Sequence, residues 1–335
     1  TQMDFGFDAS FLNNRLTGTF DWYRRNTKDM LVAGATLPAT LGASVPKSNS
    51  ADMKTIGWEL SLGWNDRLEN GFSYWVKGVL SDYQATITKY AGNDAGFYSQ
   101  SDDDGKYYVG QKIGEIWGYH SNGLFQSDDE AATIDQSELY AGKWGAGDVK
   151  YEDLDNDGKI TKGEETIYNP GDKSIIGNKT PRYQFGITVG FDYKNFDFEM
   201  FWQGTGKRDY MLSGAQFWGF TSQWDVPYTP ALDYWTETNT DAYFPRPGWQ
   251  NGGNRVTSDR YLQSAAYGRL KNLTVGYTIP KNLTTKWGIS RLRLYVTGEN
   301  LLTITPLNDA FDPETLGGMT YPINRKVAIG LNLTL

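Results

Sequence analysis

Apolar and polar residues alternate over long stretches of this chain, and the last stretch shows the pattern most clearly. From position 326 onward every second residue is apolar: Val327, Ile329, Leu331, Leu333 and Leu335. Because successive side chains of a β-strand point to opposite faces, residues 322–335 are predicted to form a strand with one apolar face and one small or polar face. Such an apolar face needs a cover, which is either a second protein layer or lipid.

The same period of two recurs along the chain and predicts about nine long strands. The other strands carry their apolar positions within residues 5–11, 16–22, 56–64, 72–80, 183–191, 196–202, 273–277 and 292–296. Aromatic residues make up 15% of the chain and glycine occurs 38 times, while helical stretches rich in Leu and Ala are scarce. These observations favour an all-β fold.

The connections between the predicted strands alternate between short and long. Short turns are expected near residues 13–14, 68–71, 194–195 and 280–290, and long connections at about 33–52, 91–180, 211–264 and 304–321. In an up-and-down meander every second connection lies at the same end of the sheet, so the short turns share one end and the long connections share the other. An antiparallel transmembrane β-barrel of the bacterial outer membrane has this asymmetry, with short periplasmic turns and long extracellular loops.

A soluble β-sandwich is the alternative fold, because its strands alternate in the same way. The predicted strands exceed the ~5–6 residues that are common in soluble sheets and approach the ~9–11 residues that a bilayer demands, which favours the barrel. Nine strands cannot close a bacterial barrel, whose strand number is even, and they would leave an unpaired edge at residues 4–12. We therefore expect residues 1–335 to be the C-terminal portion of a barrel whose first strands come from missing N-terminal sequence or from another chain.

Charge and composition exclude several classes of protein. A formal net charge of −8 argues against a nucleic-acid binder, which needs a basic surface. The chain has no cysteine, which excludes disulfides and thiolate chemistry. It has no run of ~18 apolar residues, which excludes a transmembrane helix. It also has no signal peptide and starts inside the alternating pattern, so we expect it to be a fragment of a longer protein.

One stretch fits the pattern of a calcium-binding loop. Residues 153–164 match the pattern D-x-[DN]-x-[DN]-G-x₅-E, in which clustered oxygens suit a hard cation and Gly158 permits the sharp turn. The predicted ligands are the side chains of Asp153, Asp155, Asp157 and Glu164 and the main-chain carbonyl of Lys159. The sequence therefore predicts an isolated loop that binds Ca²⁺, and the alternative is an acidic turn that binds no ion.

Other polar features are weaker candidates for a site. His120 is the only histidine, and nothing around it resembles a nucleophile elbow, so we expect no enzymatic function. Beside Tyr119, this histidine is expected to be an ordinary surface or packing residue. Residues 102–104 and 128–130 are acidic runs that we expect to be solvated loop tips, with a second cation site or a partner contact as the alternative.

The connection 211–264 is unusually rich in aromatic residues. So many aromatic side chains on a connection must pack a core of their own or form an interface. We expect them to pack against one another and to dock against a partner, and the alternative is a set of aromatic platforms for a sugar or peptide ligand. The candidate substrate-binding or partner-binding residues are Trp218, Trp224, Trp235 and Trp249.

Several motifs resemble those of the SusC/RagA-like TonB-dependent transporters of Bacteroidetes. In chain order they are residues 118–119 (GY), 122–126 (NGLFQ), 147–151 (GDVKY), 155–160 (DNDGKI), 176–186 (IGNKTPRYQFG), 193–198 (YKNFDF), 203–204 (QG), 270–280 (LKNLTVGYTIP), 292–295 (LRLY), 298–301 (GENL) and 311–314 (FDPE). They span roughly residues 115–335 in the order that the family has. Residues 1–90 resemble the family in their alternation of apolar and polar positions, and they contain none of these motifs.

The resemblance implies the C-terminal part of an outer-membrane barrel of about 22 strands with a plugged lumen. The family's N-terminal plug and TonB box are absent from this sequence. The resemblance further implies TonB-dependent import of a nutrient, an oligosaccharide or a peptide, in the bacterial outer membrane. By the same resemblance, the partners are a SusD-like surface lipoprotein, TonB acting through the plug, the missing part of the barrel, and outer-membrane lipid. A passive porin and a secreted calcium-stabilised β-rich module, such as an adhesin or lectin, are the alternatives.

Overall fold

An antiparallel sheet of nine long strands organises the chain. The computed structural model describes residues 1–33, 40, 42, 46–98, 107–316, 321 and 323–335. In chain order its strands are β1 (Gln2–Phe11), β2 (Leu16–Ala33), β3 (Lys47–Arg67), β4 (Ser73–Tyr90), β5 (Glu115–Tyr119), β6 (Ser121–Leu124), β7 (Val149–Tyr151), β8 (Lys173–Asn178), β9 (Arg182–Tyr193), β10 (Phe196–Lys207), β11 (Asp209–Met211), β12 (Leu262–Ser264), β13 (Tyr267–Thr278), β14 (Arg291–Ile304) and β15 (Lys326–Thr334). The large sheet has the order β1-β2-β3-β4-β9-β10-β13-β14-β15.

Each strand of this sheet pairs antiparallel with the next long strand along the chain, which is the arrangement of a meander. The strands are between 9 and 21 residues long, well beyond the ~5–6 residues of an ordinary soluble sheet. The prediction of an all-β, antiparallel fold is confirmed. The last strand begins at Lys326, and its predicted start, residue 322, lies outside the described residues.

The connections of the large sheet are short at one end and long at the other. Residues 12–15, 68–72, 194–195 and 279–290 form the short turns, and residues 34–46, 91–181, 208–266 and 305–325 form the long connections. Asn13 and Asn14 have φ values of 58° and 65°, and Gly71 has a φ of 85°. Asn and Gly accept this left-handed conformation more readily than other residues, which is why they occupy these turns.

The two longest connections contain small sheets and short helices of their own. Strand β5 pairs with β8, β6 with β7, and β11 with β12. The α-helices are α1 (Asp128–Ala131), α2 (Ala215–Trp218) and α3 (Lys281–Thr284), and the 3₁₀-helices are Thr229–Leu232, Gly252–Arg255 and Thr285–Trp287. Of the helices in the described part of the chain, none combines the length and apolar character needed to cross a membrane.

The strand register places apolar side chains on one face of the large sheet and small or polar side chains on the other. Directly paired residues lie on the same face. The apolar face includes the row of Phe7, Phe20, Leu60 and Leu80, and the row of Phe198, Val275, Val296 and Ile329. The polar face includes the row of Asp21, Glu59, Ser81 and Gln184, and the row of Thr274, Thr297 and Ala328.

The buried hydrophobic core lies in the long connections rather than on the large sheet. We call this part of the molecule the loop body. Its buried apolar members are Tyr119, Leu124, Val149, Tyr151, Ile160, Leu212, Phe217, Phe244, Tyr261, Ala265, Leu307, Phe311 and Leu316. The loop body therefore draws on the connections 91–181, 208–266 and 305–325.

Candidate functional site

The apolar face of the large sheet is exposed from its first strand to its last. The exposed fraction of the side chain is 66% for Phe5, 71% for Val327 and 82% for Ile329. Other exposed members of this face are Phe7, Phe11, Leu62, Val76, Ile187, Val275, Leu294, Val296, Leu331 and Leu333. Soluble monomers seldom expose contiguous apolar patches larger than a few hundred Å². None of the described residues covers this apolar face, so something outside them must cover it.

Phe217 lies at the centre of the loop body. Its side chain is fully buried, and the ring centroids of Phe244, Tyr261 and Phe311 lie 5.1, 6.3 and 6.2 Å from its own. These contacts are edge-to-face, which is a favoured geometry for aromatic pairs. Because Phe311 belongs to a different connection from the other three, the cluster joins the connections 208–266 and 305–325.

A buried carboxylate joins the connection 91–181 to the same body. Asp148 is 1% exposed and accepts hydrogen bonds from Asn254 Nδ2 at 2.8 Å, from Arg246 Nη2 at 2.9 Å and from the Gly145 N–H at 2.9 Å. A buried charge is tolerated only when it is paired and hydrogen-bonded, as here. The 91–181 and 208–266 connections are thus held together by polar as well as aromatic contacts.

The loop body is anchored to the large sheet by three ion pairs of β13. Arg269 is 2% exposed, its Nη2 donates to Asp312 Oδ2 at 2.6 Å, and its Nη1 lies 3.1 Å from Glu314 Oε1. Lys271 of the same strand donates to Glu314 at 3.0 Å. Two of the stretches that resemble the transporter family, residues 270–280 and 311–314, are therefore in direct contact. Phe311, the first residue of the 311–314 stretch, packs into the loop body.

The four predicted tryptophans have different environments. Trp218 and Trp235 are partly buried and pack against the loop-body core. Trp224 is 83% exposed and Trp249 is 47% exposed. Two of the four therefore contribute to the internal packing of the loop body, and two present their rings to the outside.

The predicted calcium loop is folded around the carboxylate of Asp153. This carboxylate accepts hydrogen bonds from the backbone N–H groups of Asn156 at 2.7 Å, Gly158 at 2.7 Å and Asp157 at 3.2 Å. Gly158 has a φ of 85°, which explains the need for glycine at this position. The loop is thus closed on itself by one acidic side chain.

The structure brings together two of the predicted metal ligands and one residue that the motif does not contain. Carboxylate oxygens of Asp153, Asp155 and Asp172 lie within 4.8 Å of one another. Asp172 is 1% exposed and accepts hydrogen bonds from the backbone N–H groups of Leu154 at 2.8 Å and Thr161 at 2.7 Å.

The other predicted ligands, Asp157, Lys159 and Glu164, are exposed. Asp157 and Glu164 are not part of this carboxylate group, and Asp157 accepts a hydrogen bond from the Lys159 N–H at 2.8 Å.

The charges of this group repel one another. Partial desolvation and the nearby carboxylates of Asp157, Asp172 and Asp153 raise the pKa of Asp155 above its ordinary value. Desolvation also acts to raise the pKa of Asp153, but the hydrogen bonds from Gly158, Asn156 and Asp157 outweigh it, so that the pKa of Asp153 is lowered. A divalent cation would relieve the repulsion.

The donor set fits such a cation. A carboxylate offers about four lone-pair sites, and backbone N–H groups use three on Asp153 and two on Asp172. Lone pairs therefore remain for a metal ion. Calcium binds oxygens at about 2.3–2.6 Å, so oxygens on opposite sides of one ion are about 5 Å apart, which matches the spacing of this group.

His120 bridges two long connections. Its Nδ1 lies 2.7 Å from Asp259 Oδ2, and its Nε2 lies 2.7 Å from Ser174 Oγ. The order of these contacts is that of a hydrolase triad. However, Ser174 lies inside strand β8 and not on the strained strand-to-helix turn that exposes such nucleophiles. His120, which was expected to be an ordinary surface or packing residue, is partly exposed and is hydrogen-bonded through both ring nitrogens.

One of the two acidic runs forms a capped helix. Ser127 Oγ accepts a hydrogen bond from the Glu130 N–H at 3.1 Å, and Asp128 accepts one from Lys143 Nζ at 2.6 Å. Acidic residues in the first turn of a helix are favoured by the helix dipole. The other run, residues 102–104, lies outside the described residues.

Comparison with known proteins shows what the chain is similar to. No family model matches the chain. Over 99% of its length the chain is 29% identical to the TonB-dependent receptor P3 of Formosa agariphila and 25% identical to the TonB-dependent receptor SusC of Bacteroides thetaiotaomicron. The chain is SusC/RagA-like. Its fold agrees: a solved structure of the RagAB peptide importer in the open-open state superposes on 100% of the chain with a TM-score of 0.74, at 21% identity.

The SusC/RagA-like chain spans about a third of the length of these proteins. It covers 34% of receptor P3, 31% of SusC and 34% of the RagAB chain. The named relatives confirm the resemblance to SusC/RagA-like transporters that the motifs predict. The relatives are named as receptors and the structural neighbour as an importer, which points away from an enzyme.

Proposed function

We propose that this SusC/RagA-like chain is the C-terminal portion of an outer-membrane β-barrel that imports a nutrient with energy from TonB. One observation carries the proposal. The long strands of the large sheet expose a continuous apolar face, while the buried core of the chain lies in connections at one end. Lipid is the cover that such a face requires, since burying one large apolar side chain contributes about 1.5–3 kcal/mol.

In the proposed protein the large sheet closes into a barrel of about 22 strands with strands that this chain does not contain. The short turns lie in the periplasm and the long connections outside the cell. The polar face then lines a lumen that a plug occupies, and TonB acts on the plug. The cargo is an oligosaccharide or a peptide, and the protein makes and breaks no covalent bond in it.

Growth of cells that carry the full-length protein tests this function. Deletion of its gene is expected to abolish growth on at least one member of a panel of oligosaccharides and peptide digests offered as sole carbon source. Deletion of TonB is expected to have the same effect. Growth that persists without TonB would instead indicate a passive porin.

We further propose that a SusD-like lipoprotein docks on the long connections. An exposed apolar patch on the connection 208–266 supports this, with exposed fractions of 83% for Trp224, 77% for Val226 and 60% for Leu232. Exposed aromatic residues are enriched at protein interfaces. Direct contact of these rings with a sugar or peptide is the second possibility, and the Trp224 variant described in the Discussion separates the two.

We also propose that Ca²⁺ binds the acidic loop, with Asp153, Asp155 and Asp172 as carboxylate ligands. The closeness of the three carboxylates and their remaining lone pairs support this. Calcium would neutralise the three carboxylates and hold residues 153–172 in one conformation. This segment is part of the loop body, because its residue Ile160 is buried in the loop-body core. Because ligands must be deprotonated, the raised pKa of Asp155 predicts that calcium binding weakens as the pH falls through that pKa.

Chelation of calcium is expected to accelerate tryptic cleavage at Lys159 and Lys162. At a calcium concentration about ten times the dissociation constant, the ion stabilises the loop by about 1.4 kcal/mol, so cleavage of the opened loop slows roughly tenfold. Asp172→Asn is expected to make the rate independent of calcium. Asp129→Asn, the same charge change outside the group, is the matched control and should keep the calcium effect. Equal cleavage rates with and without calcium in the unaltered protein would exclude the site.

A further inference from the structure

An apolar groove lies on the apolar face of the large sheet, over β1, β2 and β3. It holds about 160 Å³, and its lining surface is wholly apolar. Its floor is formed by the paired small residues Ala9 and Gly18. The pairs on either side of this floor have large apolar side chains: Phe7 with Phe20, and Phe11 with Leu16.

Gly18 keeps the groove open. A Cβ at this position would lie 3.3 Å from Leu62 Cδ2, so a larger side chain would fill the space between the two walls. The ring centroids of Phe7 and Phe20 lie 5.9 Å apart, so these two rings form one continuous wall. The groove is therefore a depression between two rows of large side chains, and it is shaped to hold an apolar chain.

Two aromatic residues indicate the depth of the groove in a bilayer. Trp64 is paired with Leu16, and its Nε1 donates a hydrogen bond to the Tyr74 hydroxyl at 3.2 Å. Tyr74 belongs to the next row of the sheet toward the short turns. Trp and Tyr are enriched where a membrane meets water. The groove thus lies just inside the hydrocarbon region, at the end of the sheet that carries the short turns.

An ion pair lies between the groove and the water at this end. Arg15 is three residues from Gly18, about 10 Å along the strand. Its Nη1 donates to Asp66 Oδ2 at 3.2 Å, and its Nε donates to the Leu12 carbonyl at 3.1 Å. A guanidinium has five N–H donors, so three have no protein partner among the described residues, and the side chain is 45% exposed. Asp66 is paired with Tyr74 and therefore lies on the apolar face.

We propose that the groove binds one acyl chain of phosphatidylethanolamine, whose headgroup lies against Arg15 and Asp66. Arg15 donates hydrogen bonds to the phosphate, and Asp66 accepts one from the ammonium group. Phosphatidylglycerol has the phosphate but no ammonium group, so its negative charge would stay unbalanced beside Asp66. The groove continues the apolar face for which lipid is the proposed cover, and the inference rests on that proposal.

Native mass spectrometry of the full-length protein in detergent micelles tests the preference for this headgroup. Phosphatidylethanolamine and phosphatidylglycerol with identical acyl chains are added separately. The first is expected to form one tight adduct, with a dissociation constant roughly tenfold lower than that of the second, because its ammonium group adds a hydrogen bond to a charged acceptor. Equal dissociation constants in the unaltered protein would overturn the proposal.

Gly18→Leu and Gly78→Leu form a matched pair that tests the groove itself. Both glycines pair with Leu62 in one row of the sheet, but Gly78 does not line the groove, and a Cβ there would meet no atom within 4 Å. Gly18→Leu is expected to lose roughly tenfold in affinity for phosphatidylethanolamine, the effect of displacing about two methylene groups from an apolar contact. Gly78→Leu should keep the affinity of the unaltered protein. Equal losses in the two variants would contradict the assignment of the groove.

Asp66→Asn tests the position of the headgroup. It is expected to bind phosphatidylglycerol as tightly as phosphatidylethanolamine, because the acceptor charge beside the phosphate is gone. An unchanged preference would show that the ammonium group does not lie at Asp66 and would overturn the proposal. Lipid quenching at position 329 without a phosphatidylethanolamine adduct would overturn the groove alone, whereas absence of that quenching would overturn the proposed lipid contact as well.

Discussion

Ile329→Lys is expected to destabilise the barrel in a bilayer by about 2–4 kcal/mol. Ile329 lies in the middle of β15 on the apolar face, where it is paired with Val296. Its exposed fraction is 82%. A lysine at the lipid-facing midplane of a barrel costs about 2–4 kcal/mol. Urea titration of the full-length protein folded into lipid vesicles should show a loss of this size in the free energy of unfolding.

The matched control is Ala328→Lys, one residue earlier on the same strand. Ala328 is paired with Thr297 on the polar face, so the new ammonium group would meet the lumen rather than hydrocarbon. We expect this variant to insert with a free energy of unfolding close to that of the unaltered protein. If the two lysine variants lose the same free energy, the assignment of lipid-facing and lumen-facing positions is wrong.

Phe217→Ala is expected to destabilise the loop body by about 3–5 kcal/mol while the large sheet stays intact. Removing a fully buried phenylalanine forfeits its burial and leaves a cavity, which costs this amount in well-packed cores. The rings of Phe244, Tyr261 and Phe311 would lose their common neighbour. Hydrogen exchange should therefore accelerate in the connections 208–266 and 305–325, with little change in β9 and β10.

Trp224→Ala is the control for this variant and the test of partner docking. Trp224 lies in the same connection but is 83% exposed, so its removal should change the stability of the loop body by no more than about 0.5 kcal/mol. We expect it to reduce co-purification of the surface lipoprotein without changing cargo affinity. Unchanged co-purification together with weaker cargo binding would favour a ligand platform instead.

The large sheet could be predicted from the sequence because every strand repeats the same signal. An apolar face and a polar face require a period of two, and residues such as Val327, Ile329 and Leu331 show it without help from the rest of the chain. The turns are equally local, since Asn13, Asn14 and Gly71 tolerate the backbone conformation that each turn needs. The small sheets of the long connections were not predicted, because strands of three to six residues are too short for a period to be visible.

The loop body could not be predicted residue by residue. Phe217 and Trp224 are aromatic residues in the same connection, yet one is fully buried and the other is largely exposed. The difference depends on partners that are distant in sequence, such as Phe311, and no local pattern reveals them. A sequence can thus indicate that aromatic residues form a core here without showing which of them do.

The acidic loop shows the same limit on a smaller scale. The motif identifies Asp153 and Asp155 because its spacing is local. Asp172 lies outside the motif and joins the group through hydrogen bonds to the Leu154 and Thr161 N–H groups. His120 is comparable, since its partners Ser174 and Asp259 belong to two other segments of the chain.

Lipid contact of the apolar face is most directly measured with single cysteines placed in a cysteine-free background; residues 1–335 contain no cysteine. A fluorophore attached at Ile329→Cys or Ala328→Cys in the full-length protein would be exposed to lipids with nitroxide-labelled acyl chains. We predict strong quenching at position 329 and weak quenching at position 328. Equal quenching at both positions, or quenching of position 329 only by aqueous iodide, would contradict the account.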